Sequence, residues 1–406
     1  MNTVIIGGGA AGCFAAVFSA RSGNKTVVLE PNGRLGKKLG ITGKGRCNIT
    51  NDCDFDSLMK NIPRNSSFLY SAFSRFGTQD CIGFFEDMGV ALKTERGGRV
   101  FPASDKAADI VNALKNEIKR LKVKVINERA VDICFSGENR KAVTGVITEE
   151  RFIPAEKVVL ATGGLSYPAT GSTGDGYRIA EKLGHTVTEL KPSLVPMETE
   201  EPCKTMAGLT VKNTMMTLWD TVDNKKIFSE SGEMTFESFG IGGPLTLSAS
   251  SRIDTIEKGR YAVSLDLKPA LDHKKLDLRI LREIAAAPSS DMLTIAGTLL
   301  PKKLVPVILE RANTSPLRKA SELSKKERLT LVGALKDLRF TVKGFRPISE
   351  AIITDGGISV KEISPGDMQS KIISGLHFAG EIIDVSGFTG GFNLQIAYST
   401  AKAVFC

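Results

Sequence analysis

The stretch TVIIGGGAAG, residues 3–12, decides how the chain begins to fold. A β-branched run is followed by a glycine turn and then by small helix-forming residues. The glycines fit the spacing G-x-G-x-x-G at Gly7, Gly9 and Gly12. In such a strand–turn–helix the first glycine makes the tight turn, the second lets a pyrophosphate approach, and the third lets helix and sheet pack closely. The stretch therefore predicts the start of a dinucleotide-binding domain.

Glu30 supports the same prediction from the strand that follows. The N–H groups at the start of the first helix, at Ala10 and Ala11, are suited to binding the pyrophosphate. The second strand covers 25–30, and Glu30 ends it 18 residues after Gly12. A carboxylate at that spacing accepts hydrogen bonds from a ribose diol. Because strand, helix, acidic residue and spacing agree, a chance glycine-rich turn is the weaker interpretation.

The loop beyond Glu30 favours FAD over NAD. Residues 33–48 read GRLGKKLGITGKGRCN, where an NAD-binding domain normally continues into a helix. A long, basic, glycine-rich loop suits a larger cofactor, because the loop can extend along the ribityl chain and the ring beyond the pyrophosphate. A basic loop exposed to solvent is the alternative interpretation.

Two more glycine turns follow apolar strands far along the chain, at 161–176 and 380–393. In the second turn, two glycines precede a predicted helix, and the N-terminus of a helix stabilises the negative charge of reduced flavin. The cofactor-binding residues that we predict from these turns are Ala161, Thr162, Gly163, Gly380, Asp384, Gly391, Phe392 and Asn393.

The composition is that of a globular protein, with 42% hydrophobic and 24% charged residues among 406. No apolar stretch of roughly 18 residues predicts a membrane-spanning helix, and the N-terminus lacks the basic region of a signal peptide. The seven cysteines form no C-x-x-C pair, and the three histidines lie far apart in sequence. We therefore expect a cytoplasmic protein without a disulfide framework or a metal.

The net charge of +9 admits a nucleic-acid partner. We disfavour that interpretation, because the basic residues have few aromatic residues among them and concentrate, in our interpretation, at the cofactor loop. An anionic cofactor explains the positive charge as easily. The oligomeric state stays open.

The order of predicted elements divides the chain into an α/β domain and an insert. Alternating strand and helix patterns cover 1–190 and return at 346–406. Between them, 191–270 has short alternating segments, 271–330 has charged helical stretches with prolines, and 331–345 completes the insert. We predict a Rossmann-like domain, with helices on a parallel sheet, split by a barrel-like β domain and a small helical part.

These motifs resemble the bacterial flavoproteins grouped with 3-dehydro-bile-acid reductase and the aminoacetone-oxidase-like enzymes. The resemblance covers nearly the whole chain and is most specific in GKKLGITGKGRCNIT at 36–50 and in 378–398. GRVFPASDKAADI at 98–110 and AIITDGGISVKEI at 351–363 also match. The resemblance implies bound FAD, with a barrel-like and a small helical part over the flavin.

The resemblance also implies cofactor contacts, residue by residue. It assigns adenine to the backbone of Val131, and the ribose to Glu30. The residues that it places from the middle of FAD to the flavin ring are Lys37, Lys38, Arg46, Asn48, Gly380, Glu381, Gly391, Phe392, Asn393 and Leu394. One departure concerns Ser238, which stands where the family often has histidine, so a mechanism that uses that histidine is excluded.

The catalytic candidates are Arg46, Cys47 and Tyr398, all in segments assigned to the cofactor. Arg46 can hold a carboxylate or a carbonyl without titrating. We expect Lys44 and Arg46 to lower the pKa of Cys47 and favour its thiolate; a small packing residue is the alternative. No second complete G-x-G-x-x-G follows a strand, so NAD(P)H is expected to dock transiently.

Three functions follow from this sequence. The first is an NAD(P)H-dependent reductase that transfers hydride through flavin N5 to a C=C bond conjugated to a carbonyl. The resemblance implies an apolar, carbonyl-bearing substrate for it, of the 3-oxo-Δ4,6 bile-acid class. The second is an oxygen-using amine oxidase, and the third is a flavoprotein that acts on RNA.

Overall fold

The chain forms two compact units in a computed structural model that describes residues 1–137 and 141–406. The first unit consists of Met1–Ser193 and Pro347–Cys406, and the second is Leu194–Arg346. The insert is predicted at 191–345. The second unit begins three residues later than that prediction, at Leu194, and ends one residue later, at Arg346.

A five-stranded parallel sheet forms the centre of the first unit. In spatial order its strands are β19 (Leu376–Phe378), β10 (Lys157–Leu160), β1 (Asn2–Ile6), β2 (Lys25–Leu29) and β6 (Lys124–Ile126). All five strands are parallel, but their order reverses at β1: the chain adds β2 and β6 on one side of β1, and β10 and β19 on the other. Ligands of such sheets bind beyond the carboxyl ends of the strands, at the point where the order reverses.

Helices and small antiparallel sheets surround this sheet. The helices are α1 (Ala10–Arg21), the single turn α2 (Thr42–Gly45), α3 (Phe55–Lys60), α4 (Tyr70–Arg75), α5 (Thr78–Asp87), α6 (Ala107–Arg120), α7 (Asp175–Lys182) and α13 (Phe392–Ala403). The remaining strands are β3 (Thr50–Asn51), β4 (Leu92–Glu95), β5 (Arg99–Pro102), β7 (Ala130–Ser136), β8 (Ala142–Thr148), β9 (Phe152–Pro154), β11 (Lys191–Ser193) and β18 (Ile353–Asp355).

The core of the first unit joins the two ends of the chain. Phe14 of α1 and Tyr398 of α13 are fully buried and stack with their ring centres 4.0 Å apart. Phe85 of α5 packs on both rings, at 5.7 Å from Phe14 and 5.9 Å from Tyr398. Aromatic contacts of this kind therefore hold α13 against the first helix of the Rossmann-like domain.

The second unit contains a closed barrel of antiparallel strands. In spatial order they are β12 (Met197–Thr199), β15 (Gly240–Gly242), β14 (Lys225–Glu237), β13 (Thr210–Asp220), β16 (Tyr261–Asp266) and β17 (Leu338–Phe345). Burial alternates along β16, and its buried residues belong to the core with Met216 of β13, Phe236 of β14 and Phe340 of β17. The predicted barrel-like insert in a Rossmann-like α/β domain is confirmed.

Helices occupy the stretch between the last two barrel strands, β16 and β17. They are α9 (His273–Ala286), α10 (Met292–Gly297), α11 (Val305–Arg311) and α12 (Lys325–Lys336), and α8 (Gly243–Ser250) precedes β16. The segment 331–345 contains the end of α12 and most of β17, so it closes the barrel. Among the described residues, no helix is long and apolar enough to cross a membrane.

Gly12 sets how closely α1 approaches β1, and replacing it tests this contact. A Cβ at Gly12 would lie 1.8 Å from the Gly7 carbonyl oxygen. We expect Gly12→Ala to lower the free energy of unfolding by about 3 kcal/mol, because helix and strand must separate. Urea unfolding of the FAD-free protein, followed by circular dichroism, measures this loss.

Gly9→Ala is the matched control. A Cβ at Gly9 would meet no heavy atom within 4 Å, so the unfolding midpoint of the FAD-free protein should not change. Equal midpoints for Gly12→Ala and the unsubstituted protein would contradict the steric account.

Candidate functional site

The glycine turn after β1 lies beside the end of β10. Gly7 has a φ of 102°, which favours glycine, and its N–H donates to the Leu29 carbonyl at 2.9 Å. A Cβ at Gly7 would lie 2.5 Å from the Ala161 carbonyl oxygen. The Ala161 N–H in turn donates to the Ile6 carbonyl at 2.9 Å. The predicted residues Gly7 and Ala161 therefore meet at one edge of the sheet.

The start of α1 forms a cradle beyond this turn. Gly9 precedes the helix, and the first bond within the helix runs from the Cys13 N–H to the Gly9 carbonyl at 2.9 Å. The N–H groups of Ala10, Ala11 and Gly12 have no acceptor within the helix. A Cβ at Gly9 would point into space free of heavy atoms for 4 Å. A small backbone surface whose donors have no acceptor within the helix fits the pyrophosphate of FAD.

Glu30 is fixed beside the cradle by backbone donors. Its side chain is buried, and Oε2 accepts from the Gly8 N–H at 2.8 Å. Oε1 accepts from the N–H and from Nδ2 of Asn32, at 2.9 and 2.8 Å. A carboxylate has about four acceptor positions, so one remains for a ribose hydroxyl.

Lys38 and Glu381 form the centre of a polar cluster. The Lys38 Nζ lies 2.9 Å from Glu381 Oε2, and each side chain is only 22% exposed. Ser166 Oγ accepts from Lys38 at 2.6 Å and donates to Glu381 Oε1 at 2.9 Å. The Thr354 N–H donates to the same oxygen at 2.8 Å. This cluster joins the basic loop to the turns after β10 and β19.

Ser166 and Thr354 were not predicted as site residues. Both lie inside segments that the sequence marks, 161–176 and 351–363, but neither has a distinctive motif position. Thr354 Oγ1 also accepts from the Leu165 N–H at 2.7 Å. Their contribution is to hold Glu381 in place, which depends on contacts between segments far apart in sequence.

Two predicted residues have buried oxygens that need a partner. Thr162 Oγ1 and Asn48 Oδ1 are buried, and neither has a hydrogen-bond partner among the described residues. Buried polar atoms are normally paired. Asn48 ends the basic loop and fits contact with a polar cofactor, whereas the Thr162 hydroxyl lies against Gly176 at the start of α7.

The N-terminus of α13 lies close to β3. Gly391 has a φ of 102°, and a Cβ there would lie 2.4 Å from the Thr50 carbonyl oxygen. Asn393 Oδ1 accepts from the Gly387 N–H at 2.8 Å, and its Nδ2 donates to the Gly387 carbonyl at 2.7 Å. The first bond within the helix comes from the Gln395 N–H. The N–H groups of Phe392, Asn393 and Leu394 are thus left for other acceptors.

The remaining predicted cofactor residues have different surroundings. Asp384 is buried and forms an ion pair with Arg64, so its charge is already compensated within the protein. Val131 is 39% exposed and lies where the register between β7 and β8 shifts, and Lys37 is exposed. Gly163 has a φ of 73°, and Gly380 has one of 79°.

Arg46 is part of an ion network on the loop surface. Its guanidinium contacts Glu95 and donates from Nε to Asp105 at 2.7 Å. It also lies 4.2 Å above the centre of the Phe101 ring. The pKa of Arg46 is raised, first by its hydrogen bond to Glu95 and then by that to Asp105. A substrate carbonyl would have to share this guanidinium with two carboxylates.

Cys47 and Tyr398 lie in the interior. Burial raises the pKa of the Cys47 thiol to about 12, so the predicted lowering is wrong. Desolvation dominates because the thiol is fully buried, whereas the Arg46 charge is paired with carboxylates. Tyr398 is fully buried on Phe14, and burial raises the pKa of its hydroxyl. This position argues against the predicted contact of Tyr398 with a substrate.

Thiol alkylation tests the surroundings of Cys47. About 0.01% of a thiol with a pKa of about 12 is ionised at pH 8. We therefore expect iodoacetamide to leave Cys47 unmodified in the native protein, as peptide mass spectrometry can measure. Exposed Cys406 is the internal control and should be alkylated. Equal rates at the two residues would contradict burial of Cys47.

The chain is similar to bacterial proteins of two different names. It is 31% identical over 412 residues to the 3-dehydro-bile acid delta(4,6)-reductase of Clostridium scindens, covering 98% of this chain and 97% of the relative. It is 30% identical over 412 residues to the ribosomal RNA dihydrouridine synthase of Escherichia coli, covering 99% and 96%. The enzyme of that name from Haemophilus influenzae is 31% identical over 411 residues, covering 99% and 97%.

A solved structure shares the fold. The 3-ketosteroid delta1-dehydrogenase of Sterolibacterium denitrificans aligns with a TM-score of 0.55 at 12% identity, covering 99% of this chain and 98% of the other. The model of the family described as HI0933-like protein Rossmann domain matches residues 1–404. With the cradle at α1 and relatives aligned over nearly their full length, the chain belongs to the HI0933-like Rossmann-domain family of FAD-dependent oxidoreductases.

Proposed function

We propose that this protein is a reductase that adds two hydrogens across a C=C bond conjugated to a carbonyl, with NAD(P)H as the electron donor. The observation that carries the proposal is that relatives with two unrelated substrates are similar to this chain to the same degree. The Δ4,6 bonds of a 3-oxo steroid are conjugated to its carbonyl at C3. The C5=C6 bond of uridine is conjugated to its carbonyl at C4. Both names therefore describe one chemical change.

FAD, when bound, supplies hydride transfer for this reaction. In our proposal the N–H groups at the start of α1 hold its pyrophosphate, and Glu30 binds the adenosine ribose. The ion pair of Lys38 with Glu381 holds the basic loop and the turn after β19 together, and both would line the site when FAD is bound. The N–H groups at the start of α13 stabilise negative charge, because the positive end of the helix dipole lies there.

Reduction of a conjugated C=C bond also needs polarisation of the carbonyl and a proton at the carbon beside it. Of the three predicted catalytic residues, Arg46 is the one with a partly exposed side chain, at 33%. Its planar donors suit a carbonyl oxygen. We therefore propose Arg46 for carbonyl binding and assign no proton transfer to Cys47 or Tyr398, which are fully buried.

The charge distribution favours uridine in RNA as the substrate. Residues 268–346 contain 17 Lys and Arg but only 8 Asp and Glu, a surplus equal to the net charge of the whole chain. The cofactor loop at 33–48 contains 5 basic and no acidic residues, so an anionic cofactor accounts for the charge of that loop. It does not account for the second basic region at 268–346, which lies outside the loop. A 3-oxo-Δ4,6 steroid is the second candidate, supported by the relative from Clostridium scindens.

An anaerobic experiment on the purified yellow protein tests the reaction. We expect NADH or NADPH to bleach the flavin absorbance, and an unmodified ribosomal RNA transcript to restore it. Mass spectrometry of the digested RNA should show dihydrouridine. The second arm replaces RNA with a 3-oxo-4,6-diene steroid. The third omits NAD(P)H, adds an amine and then admits air.

The arms separate RNA from steroid as the substrate, and a reductase from an oxidase. Restoration by the steroid and not by RNA would replace the favoured substrate and keep the reaction. An amine that bleaches the flavin without NAD(P)H, followed by hydrogen peroxide in air, would indicate the oxidase. If neither conjugated substrate restores the absorbance, the proposed reaction is wrong.

Gly9→Val tests the FAD cradle independently of activity. The branched side chain would occupy the space beside the N–H groups of α1, so we expect at least about tenfold weaker FAD binding. Flavin fluorescence during titration of the FAD-free protein measures the affinity. Gly297→Val is the control, because a Cβ there also meets no heavy atom within 4 Å but lies in the second unit. Unchanged affinity for Gly9→Val would contradict the site.

A further inference from the structure

One face of α9 is strongly basic. Leu276 and Ile280 point into the core of the second unit, whereas the opposite face exposes cationic side chains. These exposed cations are Lys274, Lys275, Arg279 and Arg282. Leu278 lies among them and is 58% exposed.

The helix α12 extends this face. Arg328 of α12 forms an ion pair with Asp277 of α9, with Nη2 and Oδ2 3.2 Å apart. At the other end of α12, Lys336 Nζ donates to the Leu271 carbonyl at 2.7 Å, just before α9 begins. The two helices therefore run side by side in opposite directions. Lys325 and Lys326 are exposed in the first turn of α12.

Helix stability does not explain where these lysines lie. The first turn of α9 contains Lys274 and Lys275, and that of α12 contains Lys325 and Lys326. Cations at a helix N-terminus are unfavourable, because the positive end of the helix dipole lies there. Asp272 caps α9, and Ser324 with Glu327 forms a capping box at α12, so each helix has its own carboxylate at this end and does not need the lysines in order to form.

Few of these charges are neutralised within the unit. Arg279 pairs with Glu283, and Asp272 lies close to Lys275, at 3.8 Å. Among the described residues, Arg282, Lys325 and Lys326 have neither an ion pair nor a side-chain hydrogen bond. The face is about 20 Å long, from the rise of 1.5 Å per residue along α9. It therefore presents several free cations over a distance that spans a few nucleotides.

We propose that the exposed face of α9 and α12 binds the phosphate backbone of the RNA substrate. The proposal rests on uridine in RNA as the substrate and names the surface that holds it. Lys and Arg without aromatic neighbours bind phosphates and do not stack on bases. The face therefore contributes affinity and orientation, and selection of the uridine takes place elsewhere.

The test removes three of these cations from the full-length protein with its FAD. The variant is Lys274→Gln, Arg282→Gln and Lys325→Gln, and the matched control is Lys60→Gln, Lys119→Gln and Lys122→Gln, which are exposed residues of the first unit. Binding of a ribosomal RNA transcript is measured over a series of KCl concentrations. We expect about tenfold weaker binding for the first variant, and a slope of log affinity against log salt that is smaller by about 2 to 3. The control should bind like the unsubstituted protein.

The outcomes are separable from those of the proposed reaction. Loss of RNA binding in the first variant alone supports the surface, even if uridine is not reduced in the anaerobic experiment. Equal binding of both variants and the unsubstituted protein overturns it, even if RNA proves to be the substrate. Vesicles of phosphatidylglycerol form the last arm: loss of vesicle binding with RNA binding unchanged would assign the face to an anionic membrane surface and overturn the proposal. Circular dichroism and FAD content confirm that both variants fold.

Discussion

The close approach of α1 to β1 is the constraint on which the rest of the first unit depends. A side chain at Gly12 would meet the Gly7 carbonyl oxygen, and one at Gly7 would meet the Ala161 carbonyl oxygen. With no side chains in the way, the first turn of α1 lies at the carboxyl edge of the sheet. The N–H groups of this turn, which have no acceptor within the helix, then lie at the edge where the strand order reverses, which is where ligands of such sheets bind. Close packing and cofactor binding therefore have the same steric origin.

The other parts of the site come from distant segments that this edge brings together. The polar cluster joins Lys38, Ser166, Thr354 and Glu381, and each hydrogen bond in it crosses at least 27 residues of sequence. The C-terminal helix is held against α1 by the stack of Phe14 on Tyr398. That packing explains why a tyrosine in a cofactor-associated segment lies in the core. It also holds the N-terminus of α13 in place, where its N–H groups are free for negative charge.

Much of the positive charge of the protein lies in the helical part of the second unit. The barrel and helices of the second unit form their own core, and the surplus of basic residues begins within the stretch between β16 and β17. Two adjacent helices there each have two consecutive lysines in the first turn, where the positive end of the helix dipole makes cations unfavourable. A sequence count gives the surplus, but only the burial of Leu276 and Ile280 shows which face of α9 is exposed. The cofactor loop at 33–48, with 5 basic and no acidic residues, is a second basic region.

By itself, the sequence determined the class of fold and the glycine turns of the FAD site. These depend on local stereochemistry, since a strand, a positive φ or a missing Cβ is defined within a few residues. Only the tertiary structure decided the ionisation and the ion pairing of individual side chains. Cys47 lies in a basic loop by sequence, yet burial raises the pKa of its thiol to about 12. Arg46 is paired with Glu95 and Asp105, which lie 49 and 59 residues away. Burial and ion pairing depend on which distant segments pack together, and no local pattern contains that information.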